Sequence, residues 1–351
     1  MKLSSERPLA VRCGAFGDMV LLTALIRVLY AEFRSPVDIV TSGPWSEPLL
    51  RGQPGVGEIF GMRSRKTPYW LSFDQQRVVR RLRARGVGPT WLCDSDQGVQ
   101  HILDRAGIGA ADIVAARDHP LLAGEHATAQ WRRMAQIMPA ANPAVRRIDL
   151  AAIAPGCCLE VTEAQRGDLD AWLRARGLAD SPLLLVQAGN KRTMRRGPRR
   201  LAVNHKYWPN QRWAEVLRFI RQHNPRHRIV LLGTGPEFEL NQEIVALAGI
   251  DRLHNAADDL PIPRLVALLQ RAEGLLNVDS GPAHAGAAVG CPQVVLFGRA
   301  SPALYRPWGT SDADVQLLTG QVEGQPSMLG ISSGQVIDAW ARLKLRAASG
   351  G

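Results

Sequence analysis

Short, almost unbroken apolar runs alternate with helix-length segments along most of this chain, and that rhythm restricts its fold most tightly. PLAVRC (8–13), VDIVTS (37–42), VGEIF (56–60) and TWLCDSD (90–96) read as strands. Helices are expected between them, at 18–33, near 45–51, at 74–85 and at 98–107. A strand that is apolar along its whole length has both faces covered, and strands joined through helices run parallel.

The rhythm falters between about 139 and 182, where PAANPAVRRIDLAAIAPG is rich in Pro and Ala and a polar helix is expected at 163–177. It then resumes, with strands at 183–187, 228–233, 251–254, 274–278 and 293–297. Helices fall near 211–223, 237–248, 262–271 and 283–290. The chain has 351 residues, more than the ~100–200 usual for one domain. The fold class expected is α/β, with two doubly wound parallel-sheet domains at 1–155 and 156–332, and a helix and tail at 333–351. In such sheets ligands sit beyond the carboxyl ends of the strands, so the turns that follow strands are where chemistry is sought.

Charge and missing motifs narrow the function. There are 43 Lys and Arg against 32 Asp and Glu, a formal charge of +11. Such an excess suits a phosphorylated substrate, an anionic membrane surface or nucleic acid, and equally an Arg-rich proteome. Cys13, Cys93, Cys157, Cys158 and Cys291 show no C-x-x-C spacing, which points to reduced thiols and to no metal site. Arg12, Asp18 and several glycines interrupt any signal-peptide core, and no run reaches the ~18 apolar residues of a membrane span. A cytoplasmic protein is expected. GTGPEF lacks the third glycine of G-x-G-x-x-G, and G-x-x-x-x-G-K-[ST], H-E-x-x-H and G-x-S-x-G do not occur, which disfavours dehydrogenases, P-loop NTPases, zincins and serine hydrolases.

Three turns carry more polar chemistry than capping requires. In CGAFGDMVLL, Gly14 and Gly17 allow a tight turn and Asp18 stands at a helix start, as a cap or as a general base. In VQAGNKRTMRRGPRRLAVNHKYWPNQRW, Gln187 ends a strand, Gly189-Asn190 turns, and a basic run leads to Lys206. Lysine fixed beside Trp208 and Pro209 can reach phosphate as a point charge. Further on, Glu237 stands near a helix start as a cap or a ribose ligand. In NVDSGPAHAG, Asp279 and Ser280 can cap and Pro282 suits a first helical turn. Gly281 gives clearance and His284 lies in that first turn. The N–H groups freed there form a ready anion site.

Taken in order, these turns resemble glycosyltransferase family 9, the ADP-heptose:lipopolysaccharide heptosyltransferases. VRCGAFGDMVLLTALIRVL is similar to the family's N-terminal G-D-hydrophobic signature and KYWP…RW to its K-x-W-P…W element. NVDSGPAHAGAAVGCPQVVLFG is similar to its D-[ST]-G-x-x-H block, the most specific of the three. The resemblance spans about 8–310. It implies a GT-B fold of two Rossmann-like domains facing a central cleft, and inverting transfer of heptose from ADP-heptose to a lipopolysaccharide core or related glycan. It also implies no metal ion and no cofactor beyond the donor itself. Asp18 matches the family's catalytic base, Lys206 the lysine near the donor phosphates, and Glu237 an acid contacting the nucleoside. Asp279, Ser280, Gly281 and His284 match its donor block, and Gln187, Gly189 and Asn190 join that side.

Gly14, Gly17, Arg77 and Arg80 are expected on the side of an anionic glycolipid acceptor, with peripheral contact at the inner membrane and no nucleic acid. Two departures bear on the donor. Residues 187–206 are longer and more basic than the family's connection, and Ala283 stands where Met is commoner. Two other readings stay open. One is a family 9 enzyme using another nucleotide-diphosphate sugar for a capsule, glycan or secondary metabolite. The other is a non-catalytic basic protein binding nucleic acid through 191–206.

Overall fold

The computed structural model describes residues 6–142, 148–190 and 206–347. The chain divides into two compact units, Met1–Glu160 and Val161–Gly351.

In the first unit, β1 (Leu9–Val11), β2 (Val37–Ser42), β3 (Val56–Met62), β4 (Thr90–Leu92) and β5 (Ile113–Ala115) form one sheet in the order β3-β2-β1-β4-β5. Every pairing is parallel. The helices are α1 (Phe16–Phe33), α2 (Ser46–Leu50), α3 (Phe73–Arg85), α4 (Gln97–Ala106) and α5 (Ala127–Ala135). Residues 19–26 of α1 are buried without a break, as befits a helix apolar on every side. All of β2 is buried, including the carboxylate of Asp38, which is compensated by Arg85 Nε at 2.7 Å. β4 is shorter than its sequence suggests: the ladder ends at Leu92, and 93–96 form a turn.

In the second unit, β6 (Leu183–Gln187), β7 (Arg228–Leu231), β8 (Leu253–Asn255), β9 (Gly274–Val278), β10 (Gln293–Phe297) and β11 (Val315–Thr319) are again all parallel. Their order is β11-β10-β9-β6-β7-β8. Counted from β6, that is 3-2-1-4-5-6 read from the other edge, the order of dinucleotide-binding sheets. The helices are α6 (Glu163–Ala175), α7 (Asn210–His223), α8 (Phe238–Ala248), α9 (Ile262–Arg271), α10 (Gly281–Ala288), α11 (Pro302–Tyr305) and α12 (Ser333–Arg342). α12 belongs to this unit's core, where Val336, Ala339 and Trp340 pack with Trp208, Trp213 and the aliphatic side chains of β6, β9 and β10. Among the described residues no helix is long and apolar enough to cross a membrane.

Candidate functional site

A doubly wound sheet opens a crevice where the strand order reverses, because the loops on either side leave for opposite faces. In the first unit this point lies between β1 and β4. Arg12 and Asp18 follow β1, and Cys93, Asp94 and Asp96 follow β4. Arg12 Nη2 donates to Asp18 Oδ1 at 2.6 Å, and its Nη1 donates to the Cys93 carbonyl at 2.6 Å. Asp18 Oδ2 accepts the Ala15 N–H at 2.8 Å. Asp18 is therefore both a helix cap and half of an ion pair, yet a third of its side chain stays exposed. A carboxylate has about four acceptor positions, so two bonds leave room for another proton donor.

The surroundings hold this pair in place. Burial disfavours charge on Arg12, but the charges of Asp18 and Asp94 outweigh it, and the guanidinium is held more firmly protonated than usual. Its central carbon lies 5.7 Å from the centroid of the Trp131 ring. Asp94 Oδ2 accepts the Cys13 N–H at 2.9 Å, and Arg65 bridges Asp94, at 3.3 Å, to Asp96, at 2.9 Å. Arg65 also donates to the Cys13 carbonyl. Gly14 is needed for a local reason: a Cβ there would lie 2.8 Å from both Cγ and Oδ2 of Asp18. Gly17 is the second residue of α1. Burial pushes the Cys13 and Cys93 thiols up to about 12, so neither is a nucleophile at neutral pH.

In the second unit the reversal lies between β6 and β9, and two hydrogen-bonded groups stand there, one of them crossing it. Gln187 Nε2 donates to the Gly189 carbonyl at 2.8 Å and to Glu237 Oε1 at 3.2 Å. Asn190 Nδ2 reaches the Lys206 carbonyl at 3.4 Å. Lys206 Nζ pairs with Asp279 Oδ2 at 2.7 Å and donates to the Asp279 carbonyl at 2.6 Å. Lys206 is fixed from behind: Trp208 and Trp213 are buried edge to face at 4.9 Å, and Trp208 Nε1 donates to the Ile331 carbonyl.

Glu237 is 5% exposed. Burial raises its pKa, against the bonds it accepts from the hydroxyl and N–H of Thr234 and from Gln187. At Gly189 a Cβ would lie 3.1 Å from Glu237 Cδ and closer still to its Oε1. Glycine there is what lets the turn after β6 approach the carboxylate.

At the start of α10 the polar surplus is not used for capping. Ser280 holds the N-cap position with φ −153°, but its hydroxyl makes no cap bond, and the Asp279 carboxylate turns to Lys206 instead. Ser280 Oγ is buried without a hydrogen-bond partner among the described residues. Gly281 and Pro282 open the helix, and His284 is buried in its first turn. A second polar chain fixes the helix from below: Asn277 donates to Gln293, which donates to the Ala283 carbonyl at 3.0 Å. Ala283 is fully buried against Val295 and Phe297. Its side chain therefore faces the core rather than a ligand.

Gln187, Gly189 and Glu237 thus form one hydrogen-bonded group and Asn190, Lys206 and Asp279 a second, which meet in the chain at Gly189-Asn190, with Ser280, Gly281 and His284 following Asp279 directly. Gly14 and Gly17 stand around Asp18. Arg77 and Arg80 lie apart on the exposed face of α3, where Arg77 engages Asp74. The basic segment 191–200 lies outside the described residues. Sequence reasoning missed Arg12, Arg65, Asp94 and Asp96, although acids ending a strand at a turn were a usable signal. Among the described residues no group of three His, Cys, Asp or Glu is arranged to hold a metal ion.

Residues 197–326 match the family model described as glycosyltransferase family 9 (heptosyltransferase). The chain is 22% identical over 322 residues to lipopolysaccharide heptosyltransferase 2 of Salmonella typhimurium, a match covering 87% of this chain and 86% of that one. Its structure is similar to a family 9 glycosyltransferase of Veillonella parvula, with TM-score 0.77, 20% identity and 97% of each chain covered. It is also similar to Escherichia coli heptosyltransferase WaaC solved with ADP, with TM-score 0.67, 14% identity, and 95% of this chain and 99% of that one covered. These likenesses establish the fold: two parallel-sheet α/β domains of GT-B type, as the sequence suggested.

Proposed function

We propose, on the premise that this chain belongs to glycosyltransferase family 9, that it is an inverting transferase moving heptose from ADP-heptose to a lipopolysaccharide core or related glycan. The observation that carries this reading is the Lys206–Asp279 pair at the strand reversal of the second unit, beside the N-terminus of α10. Lys206, Glu237 and Asp279 to His284 all fall within the residues that match the family model.

The division of labour follows from the chemistry of the groups. Inversion needs the acceptor hydroxyl to attack the anomeric carbon opposite the departing diphosphate. Asp18 accepts the hydroxyl proton as that bond forms, and Arg12 holds its carboxylate in one orientation. The leaving diphosphate gathers negative charge, which the first N–H groups of α10 and the Lys206 ammonium meet. Asp279 positions Lys206 through two oxygens. The Ser280 hydroxyl, not spent on capping, is a donor for the same anion. Glu237 and Gln187 serve the nucleoside. On this reading the charge is met by the protein's own groups, and no metal ion is required.

Nucleotide preference tests the donor. Binding to the native state alone adds roughly 2.7 kcal/mol of stability at a hundredfold excess over Kd. ADP should therefore raise the melting temperature by a few degrees, with UDP and GDP weaker. Stabilisation by UDP or GDP and not by ADP replaces the heptose reading with another nucleotide sugar.

A further inference from the structure

We propose that Gln293, with Asn277 behind it, is a positioning residue for the donor's diphosphate, holding the first turn of α10 in place on the sheet. The inference rests on the reading that the leaving diphosphate meets the start of α10, and deepens it. Side chains alternate between the faces of a strand, and register partners in a parallel sheet share a face. Gln187 pairs with Asn277 across β6 and β9, and Asn277 with Val295 across β9 and β10. Gln293 lies two residues before Val295, so the three amides stand on one face. That is the face α10 covers, since Ala283 packs against Val295 and Phe297. The opposite face of the same strands is apolar: Leu184, Val186, Leu276, Val278, Val294 and Leu296 pack there with α12. Apolar packing therefore suits these strands, and the amides are confined to the side of α10.

Gln187 is spent at its strand end on Gly189 and Glu237. Asn277 and Gln293 are fully buried, and their bonds lead to the helix. Asn277 Nδ2 donates to Gln293 Oε1 at 2.9 Å, and Gln293 Nε2 donates to the Ala283 carbonyl at 3.0 Å. The arrangement is costly, because Asn277 Oδ1 is buried without a hydrogen-bond partner among the described residues, and apolar side chains would avoid that penalty. What the amides add is direction. Six of the eight residues of α10 are Ala or Gly, so the helix has few ridges to key it into the strands. It also lies close on them: a Cβ at Gly286 would sit 3.1 Å from Leu275 Cδ2. A hydrogen bond to a first-turn carbonyl fixes the height and rotation that packing of small residues leaves loose. Ala283 follows Ser280, whose hydroxyl is unspent, and Asp279, which grips Lys206. A slipped helix would carry these groups away from the phosphates, and misplacement on the order of 1 Å can cost a hundredfold in rate.

Calorimetric titration of the full chain with ADP and with adenosine tests this. Gln293→Met keeps the length of the side chain and removes the donor to Ala283. ADP should then bind about tenfold more weakly, the scale of one lost hydrogen bond. Adenosine affinity should stay within about twofold, since no contact to the nucleoside changes. A merely structural glutamine would lower the melting temperature and leave the ratio of the two affinities alone. Gln293→Met with Asn277→Leu removes both polar partners, so most of the lost stability should return, while the ratio of ADP to adenosine affinity stays reduced. This double variant also carries the test where the single change does not fold. A wild-type ratio in either variant overturns the proposal. So does a wild-type chain that binds ADP no more tightly than adenosine, and that result alone also removes the diphosphate from α10, and with it the reading on which the proposal rests.

Discussion

Asp18→Asn should lower the transfer rate by about 10²–10⁴-fold, the range that a positioned general base contributes, while ADP binds with nearly wild-type affinity. The two outcomes separate because the residues proposed to hold the donor belong to the second unit and Asp18 to the first. Asparagine keeps the size of the side chain and can still accept the Ala15 N–H, so α1 should remain capped. What it loses is charge and the ability to take a proton. Arg12 then lacks its nearest anion, which should cost about 1–2 kcal/mol of stability, visible as a modest fall in melting temperature. Asp94 beside Arg12 limits that loss. Activity within tenfold of wild type would remove Asp18 from the base role and leave it a cap and ion-pair partner.

Lys206→Met should weaken ADP binding by roughly ten- to a hundredfold, the scale of a lost charge-assisted contact. It should also destabilise the protein, because Asp279 is only 5% exposed and loses its cation. Removing one partner of a buried pair costs about 3–5 kcal/mol; with a fifth of Lys206 exposed, about 1–3 is the reasonable expectation. Both effects could follow from a purely structural lysine, so the double variant decides between them. Lys206→Met with Asp279→Asn removes both charges, and most of the lost stability should return. Nucleotide affinity should not return, since the ammonium at position 206 is still missing. Recovery of both together would mean that Lys206 shapes the loop without meeting the donor.

Much of the fold was legible where strands are buried on both faces. The strands at 183–187, 274–278 and 293–297 have the bounds expected from their apolar runs, and every residue in each is buried. β4 misled because burial outlasts the ladder. Cys93 and Asp94 are buried although the pairing ends at Leu92, so the run to Asp96 looked like one strand. β5 has three residues, too few to show a period, and β11 is only partly buried.

The candidate site divides in the same way. Asp18, Lys206 and Asp279 stood out because each sits in a turn with more polar residues than capping uses. Their partners did not. Arg12 looked like a charge interrupting an apolar run, and Arg65 joins Asp94 only because the strand order is 3-2-1-4. Lys206 and Asp279 are 73 residues apart, and only the adjacency of β6 and β9 brings the turns together. Ser280 had the residue type and position of a cap, yet its hydroxyl makes no cap bond, a matter of rotamer that sequence does not encode.

The most direct measurement is the reaction itself. The full chain is incubated with ADP-heptose and a heptose-deficient lipopolysaccharide core in EDTA, and the product's anomeric configuration is read by NMR. Release of one ADP per heptose transferred, with the configuration opposite to that of the donor and no loss of rate in EDTA, is the expected result. Retention of configuration, or turnover with another nucleotide sugar and none with ADP-heptose, would contradict it.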